Sequence, residues 1–213
     1  PIVGCVAAHT GVGKTHMMRR VISMASSLAN HVFHPPAVDG APRFAWHAVF
    51  VPGLRVSEMV LATLAPLVAD EGAVTGMYFL NSTDEPARGR AGVPERQGHH
   101  LATKIHVTCR AQSGLLDHGD KRTQGAINLV KGLMRKEGHV VIVATYDSAH
   151  TLLQLMDAAK APRPLTTQVD ETHNLATSGG RRAAVWLLSA VFCVLGYTAS
   201  ARTVVRGDGD GDG

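Results

Sequence analysis

Apolar residues in this chain fall into short β-rich runs and longer segments of helical spacing, and the two kinds of segment alternate. Short continuous apolar runs predict strands that are buried on both faces. These predicted strands are Ile2–Ala7, Phe44–Val51, Met77–Leu80, Lys104–Cys109, Val140–Ala144, Leu165–Val169 and Val191–Tyr197. Apolar side chains at helical spacing predict helices at Thr15–Leu28, Leu54–Ala69, Gln124–Lys136, His150–Ala159 and Arg181–Ala190.

The alternation of strands and helices predicts an α/β fold with a parallel sheet and helices on both of its faces, because parallel neighbours need right-handed crossovers. Pro66 is expected to bend or end the second helix. Residues 81–103, rich in Pro, Gly and charge, predict a long surface loop. We expect one domain over residues 1–202 and a disordered or truncated Gly/Asp tail at 203–213.

The composition favours a folded chain in a reducing compartment. Hydrophobic residues make up 45% of the 213 residues and charged residues only 18%, which argues against a disordered chain. The formal net charge of +4 is compatible with nucleic-acid binding without indicating it. Cys5, Cys109 and Cys193 are too widely spaced for a zinc site or a disulfide framework. The simpler interpretation is therefore an intracellular protein of the cytoplasm, nucleus or nucleoid.

An uncharged stretch from Ala183 to Ala201 is long enough to span a bilayer. The alternative is a buried helix followed by a buried parallel strand, which also gives a near-continuous apolar run. We favour this alternative, and expect no membrane partner.

A phosphate-loop signature, Ala8-His9-Thr10-Gly11-Val12-Gly13-Lys14-Thr15, follows the first predicted strand and opens the first predicted helix. Its glycines allow successive backbone N–H groups to face a phosphate at the positive end of the helix. Lys14 would reach the β- and γ-phosphates, and the Thr15 hydroxyl would bind Mg²⁺. The predicted nucleotide-binding residues are Thr10, Gly11, Val12, Gly13, Lys14, Thr15 and His16.

An acidic segment, Asp170-Glu171-Thr172-His173, follows an apolar strand near the other end of the chain. A strand end of this kind lies at the carboxyl edge of a parallel sheet, beside the phosphate loop. There Asp170 would bind Mg²⁺ together with Thr15, and Glu171 would orient and deprotonate a water. A solvated acidic pair is the alternative, but the phosphate loop and His173 favour chemistry. The predicted catalytic residues are Lys14, Asp170, Glu171 and His173.

Five segments in order, covering about residues 1–202, resemble motifs of superfamily-two helicases and translocases of the DEAD/DEAH-box class. Ala8–Thr15 resembles motif I, Phe50–Arg55 motif Ia, Val143–Ser148 the Thr-Tyr-x-Ser segment, Asp170–His173 motif II, and Thr198–Ser200 motif III. The sequence departs from the family at Thr172, where Ala is usual, and at Ser200, where Thr is usual.

The resemblance implies a RecA-like, ATP- and Mg²⁺-binding motor domain that couples hydrolysis to unwinding or translocation, on DNA rather than RNA. It implies contacts to the nucleic-acid backbone from Pro52, Gly53, Arg55, Thr145 and Ser148. It also implies that His173 couples hydrolysis to movement through Thr198 and Ser200. The family's second RecA-like domain, which supplies an arginine finger, would lie after Gly213.

Two other classes of protein stay open. A small-molecule or nucleoside kinase also uses a phosphate loop, although it does not need the Asp-Glu-x-His segment. A non-catalytic remnant of a nucleotide fold would serve as a binding or assembly module.

Overall fold

A computed structural model describes residues 2–7, 13–29, 44–82, 101–110, 114–176 and 190–198. The described strands form one seven-stranded parallel sheet in the order β1-β7-β6-β2-β5-β3-β4. The strands are β1 (Ile2–Ala7), β2 (Phe44–Val51), β3 (Gly76–Ser82), β4 (Thr103–Val107), β5 (Gly138–Thr145), β6 (Thr166–Val169) and β7 (Cys193–Thr198). The helices are α1 (Lys14–Leu28), α2 (Leu54–Leu64), α3 (Pro66–Ala69), α4 (Lys121–Met134) and α5 (Ala149–Ala159).

Helices cover both faces of the sheet, because successive side chains of a strand point to opposite faces. Trp46 and Phe50 of β2 pack in one core cluster with apolar side chains of α4 and α5. Val49 and Val51 of the same strand pack in a second cluster with side chains of α1, α2 and α3. The predicted α/β fold with three layers is therefore confirmed.

The prediction of a long loop over residues 81–103 is wrong at both ends. β3 runs to Ser82 and β4 begins at Thr103, since Asn81 pairs with His106 and Tyr78 with Thr103 in the parallel ladder. Backbone pairing continues there although the side chains are polar, because the ladder uses main-chain groups. Residues 83–100 of that prediction lie outside the described residues.

Several element bounds also differ from the predictions. The helix predicted at Leu54–Ala69 is divided into α2 and α3, and Pro66 is the first residue of the second piece. α4 begins before Gln124 because the Asp120 carboxylate caps it, accepting from the backbone N–H of Arg122 at 2.9 Å and of Thr123 at 3.1 Å. Cys109, predicted to end β4, instead forms an isolated antiparallel bridge with Leu116.

The described part of the apolar stretch Ala183–Ala201 contains β7, which is paired between β1 and β6. The helix predicted at Arg181–Ala190 and the Gly/Asp tail lie outside the described residues, except for Ala190, which is not helical. Among the helices that the structure describes, none is long and apolar enough to cross a membrane.

A buried histidine joins β2, α1 and β6 inside the core. His47 of β2 is fully buried, with Nε2 3.0 Å from Ser26 Oγ on α1 and Nδ1 2.9 Å from Thr166 Oγ1 on β6. Its ring stacks on that of His139, with centroids 5.9 Å apart. Burial, with a smaller effect of His139, lowers the pKa of His47 from 6.5 to about 3.

We therefore expect His47 to make the fold acid-sensitive. Between pH 6.5 and about 3 the unfolded chain binds a proton at this residue and the folded chain does not. The free energy of unfolding then falls by at most about 1.4 kcal/mol per pH unit as the pH decreases, and levels off below the folded pKa.

Urea denaturation of the wild type and of His47→Gln across this pH range measures the effect. The difference in unfolding free energy between the two proteins should shrink as the pH falls. His106→Gln, at an exposed position of β4, is the matched control and should leave the pH profile unchanged. A constant difference between wild type and His47→Gln at all pH values would refute the assignment.

Candidate functional site

The strand order brings the carboxyl ends of five strands side by side at one edge of the sheet, called here the carboxyl edge. Ala7 of β1 is in register with Thr198 of β7. Phe50 of β2 is in register with Val169 of β6, and Val51 with Thr145 of β5. The segments that follow β1, β6, β2 and β5 in sequence therefore start from neighbouring positions.

The described part of the phosphate loop begins at Gly13, and Thr10, Gly11 and Val12 lie outside it. Gly13 has φ +84°, a left-handed conformation that favours glycine, and α1 begins at the next residue. Gly13 has no side chain to cap the helix, and Lys14, Thr15 and His16 put no acidic group in its first turn. The start of α1, where the positive end of the helix dipole lies, therefore carries no acidic side chain that would compete with an anion.

A polar relay inside the core fixes α1 against the strands beside it. The Tyr197 hydroxyl donates to Gln168 Oε1 at 2.9 Å, and Gln168 Nε2 donates to the Met18 carbonyl at 3.3 Å. Gln168 is fully buried and lies two residues before Asp170. The relay therefore sets the position of α1 relative to the acidic segment. Its only signal in the sequence is a glutamine within an otherwise buried strand.

Asp170 lies directly after β6 and is 6% exposed. Its backbone N–H donates to the Phe50 carbonyl of β2 at 2.9 Å. Burial and the neighbouring Glu171 carboxylate raise the pKa of Asp170, and the charges of Lys14 and His173 oppose that rise. The charge of Lys14, at the start of α1, thus favours the ionised form of Asp170.

Glu171 has an unusual backbone conformation for a residue with a side chain. Its φ of +52° is left-handed, a conformation that non-glycine residues rarely adopt outside special sites. Its Oε2 lies 3.2 Å from His173 Nδ1, but the angle is not that of a hydrogen bond. Oε2 is therefore a buried acceptor without a hydrogen-bond partner among the described residues.

Tyr146 makes a contact with the acidic segment that the sequence does not predict. It follows β5 in a 3-10 turn at Tyr146–Ser148 and is 3% exposed. Its hydroxyl donates to the carbonyl of Asp170 and, at 3.1 Å, to the carbonyl of Glu171. The only hint in the sequence is its place inside the Thr-Tyr-x-Ser segment.

The rest of the acidic segment bonds to β7. The Thr172 hydroxyl donates to the Tyr197 carbonyl at 3.2 Å. His173 Nδ1 lies 3.1 Å from Thr198 Oγ1, and Ser200 lies outside the described residues. A Cβ at Gly196 would overlap the Thr172 methyl group, so Gly196 leaves the space that a threonine needs at this position.

The predicted nucleic-acid contacts lie on the same edge. Pro52 and Gly53 form the turn between β2 and α2, and Arg55 is exposed in the first turn of α2. Thr145 ends β5 and is partly exposed, with Oγ1 3.1 Å from Ser148 Oγ. Ser148 is only 2% exposed, so it supports Thr145 from below rather than facing the surface.

In the part of the chain that the structure describes, no three His, Cys, Asp or Glu side chains are grouped so as to hold a metal by themselves. A Mg²⁺ that arrives on a nucleoside triphosphate needs fewer protein ligands, because phosphate and water oxygens supply the others. Thr15 and Asp170 offer the hard oxygen donors that such an ion prefers.

No protein-family model matches the sequence, and no curated protein matches it. Among solved structures, the signal recognition particle receptor FtsY from Elizabethkingia anophelis, in complex with GDP, is similar over 88% of this chain, with 14% identity and a TM-score of 0.36. The chain spans 60% of the FtsY chain. A similarity this distant bears on neither the activity nor the ligand of this protein, whose fold follows from its own strand order and layers.

The close approach of Gly196 and Thr172 predicts a specific pair of energetic effects. Gly196→Ala should lower the free energy of unfolding by about 1 to 3 kcal/mol, because the new methyl group overlaps the Thr172 methyl. Thr172→Ala alone should cost about 1 kcal/mol through the lost hydrogen bond. The double variant should be more stable than the sum predicts, since Thr172→Ala removes the overlap.

Urea denaturation of the four proteins in this cycle measures the coupling. Gly125→Ala is the control, because a Cβ there meets nothing within 4 Å and α4 should gain stability from alanine. Additive effects of Gly196→Ala and Thr172→Ala would show that the two residues do not contact each other in solution.

Proposed function

We propose that this chain is the ATP-binding motor domain of an ATP-dependent DNA helicase or translocase. One observation carries the proposal. The acidic segment is bonded to β7, β2 and β5, which carry the segments that resemble motif III, motif Ia and the Thr-Tyr-x-Ser segment. A site that joins hydrolysis to movement needs such direct links between the nucleotide side and the nucleic-acid side.

In this proposal, ATP lies at the start of α1. The backbone N–H groups of the phosphate loop, from Thr10 to His16, bind its phosphates, and Lys14 contacts the β- and γ-phosphates. Mg²⁺ is held by Thr15 and Asp170, and neutralises charge that develops on the γ-phosphate. The charge of Lys14 lowers the pKa of the Asp170 carboxyl group, and this interaction supports the arrangement.

Glu171 is the proposed general base. Its buried Oε2 has no hydrogen-bond donor in the described part of the chain, so it can accept a proton from a water placed against it. His173 stands beside that oxygen and also beside Thr198 Oγ1. A movement of the Glu171 side chain would therefore shift the imidazole and, with it, Thr198. We propose that this movement reaches Ser200 through the following residues.

The nucleic acid is proposed to cross the ends of β2 and β5. Pro52, Gly53 and Arg55 follow β2, and Thr145, supported by Ser148, is the last residue of β5. Contacts of these types bind phosphates and carry no sequence information, which suits a motor that moves along any sequence. DNA is proposed over RNA because of the Thr-Tyr-x-Ser segment alone.

The resemblance also implies that an arginine from a second RecA-like domain completes the ATP-binding site. The absence of such an arginine typically slows phosphoryl transfer on the order of a thousandfold. We therefore expect the purified chain to bind ATP weakly and to hydrolyse it slowly, so single-turnover conditions with excess protein are the appropriate assay.

Glu171→Gln separates the candidate functions. The amide keeps the side-chain shape but loses the base, so ATP affinity should be retained while single-turnover hydrolysis falls by about a hundredfold or more. Glu137→Gln, at an exposed position after α4, is the control and should behave as the wild type. Radiolabelled ATP with rapid quench measures hydrolysis, and filter binding measures affinity.

Other outcomes of this experiment would contradict the proposed motor function. Phosphoryl transfer to an added acceptor that survives Glu171→Gln would indicate a kinase. A wild type that binds no ATP, or hydrolysis that is unchanged by the substitution, would indicate a non-catalytic module.

Arg55→Gln tests the proposed nucleic-acid path. If Arg55 contacts a phosphate, affinity for single-stranded oligothymidylate should fall, and the slope of log affinity against log salt should decrease by about 1. Arg135→Gln is the matched control, since Arg135 follows the end of α4, away from the carboxyl edge. Fluorescence anisotropy in a salt series measures both quantities, and an unchanged slope for Arg55→Gln would place the nucleic acid elsewhere.

A further inference from the structure

One buried hydroxyl group connects the proposed nucleic-acid segment with the proposed base. Tyr146 is the residue next to Thr145, and its hydroxyl bonds to the carbonyls of both Asp170 and Glu171. Its ring belongs to the core cluster that also contains Phe50 and Val169, so the side chain has little freedom to move independently. The packed ring and the bonded hydroxyl therefore link the end of β5 to the backbone of the acidic segment.

We propose that Tyr146 is a positioning residue that couples nucleic-acid binding at Thr145 to the placement of the Glu171 carboxylate. This inference rests on the proposed function, and adds to it the residue through which the two binding events communicate.

The geometry gives the physical reason. Two consecutive carbonyls directed at one hydroxyl fix the orientation of the peptide groups on both sides of the Glu171 Cα. That backbone is left-handed, at φ +52°, a conformation that needs external support in a residue other than glycine. Without the hydroxyl, the backbone at Glu171 can relax toward ordinary φ values, and the carboxylate then turns away from its present position.

The Tyr146 phenol can donate its hydrogen bonds only while it is protonated. Burial, followed by the charges of Asp170 and Glu171, raises the pKa of Tyr146 above its ordinary value. The group therefore stays protonated, and remains a donor, throughout the neutral pH range. A hydroxyl that loses its proton would instead repel both carbonyl oxygens.

Tyr146→Phe tests the inference, because it removes the hydroxyl and keeps the ring. The affinity of a non-hydrolysable ATP analogue with Mg²⁺ is measured by calorimetry with and without saturating oligothymidylate. In the wild type we expect each ligand to tighten the other by about fivefold or more. In Tyr146→Phe each ligand alone should bind within about twofold of wild type, and the mutual tightening should disappear.

Tyr78→Phe on β3 is the matched control, since it removes a phenol from the same sheet without touching the acidic segment, and should retain the coupling. Coupling that survives in Tyr146→Phe overturns the inference, and so does a loss of affinity for either ligand alone, which would make Tyr146 a direct contact or a purely structural residue. A wild type that binds both ligands without coupling also overturns it. A wild type that binds no Mg²⁺–nucleotide contradicts the proposed function itself.

Discussion

Hydrogen bonds to β2, to β7 and to the residue after β5 hold Asp170–His173 at the end of β6, and the proposed roles of the acidic segment depend on them. β2 supplies the Phe50 carbonyl, the residue after β5 supplies the Tyr146 hydroxyl, and β7 supplies the Tyr197 carbonyl and Thr198. β6 itself is short, from Thr166 to Val169. Without these bonds, two adjacent carboxylates after so short a strand would lower their free energy by rotating out into the solvent.

These hydrogen bonds are important because they hold the Asp170 and Glu171 carboxylates where water solvates them poorly. Burial raises the pKa of Asp170, and the Lys14 charge opposes that effect. A Mg²⁺–nucleotide would lower the energy of this arrangement further by adding positive charge beside Asp170. If the carboxyl edge holds Mg²⁺–nucleotide as proposed, that ligand should raise the free energy of unfolding, since it binds the folded chain alone.

The sequence predicts the fold well, since continuous apolar runs such as Phe44–Val51 leave few alternatives to a buried parallel strand. It also identifies the acidic segment and the start of α1, because their residue types are tied to short local patterns. Strand order is beyond local patterns, because it depends on how distant segments pair. The roles of Tyr146, Gln168 and Gly196 follow from that order, and so they become visible only in the structure.

The most direct test of this account is a crystal structure of the chain with ADP, Mg²⁺ and beryllium fluoride, which imitates the γ-phosphate. We predict that the beryllium fluoride lies between Lys14 and Glu171, with Mg²⁺ bound to Thr15 and Asp170. The Tyr146 hydroxyl should still donate to the carbonyls of Asp170 and Glu171. A nucleotide bound away from the start of α1, or a Glu171 side chain turned away from the fluoride, would contradict it.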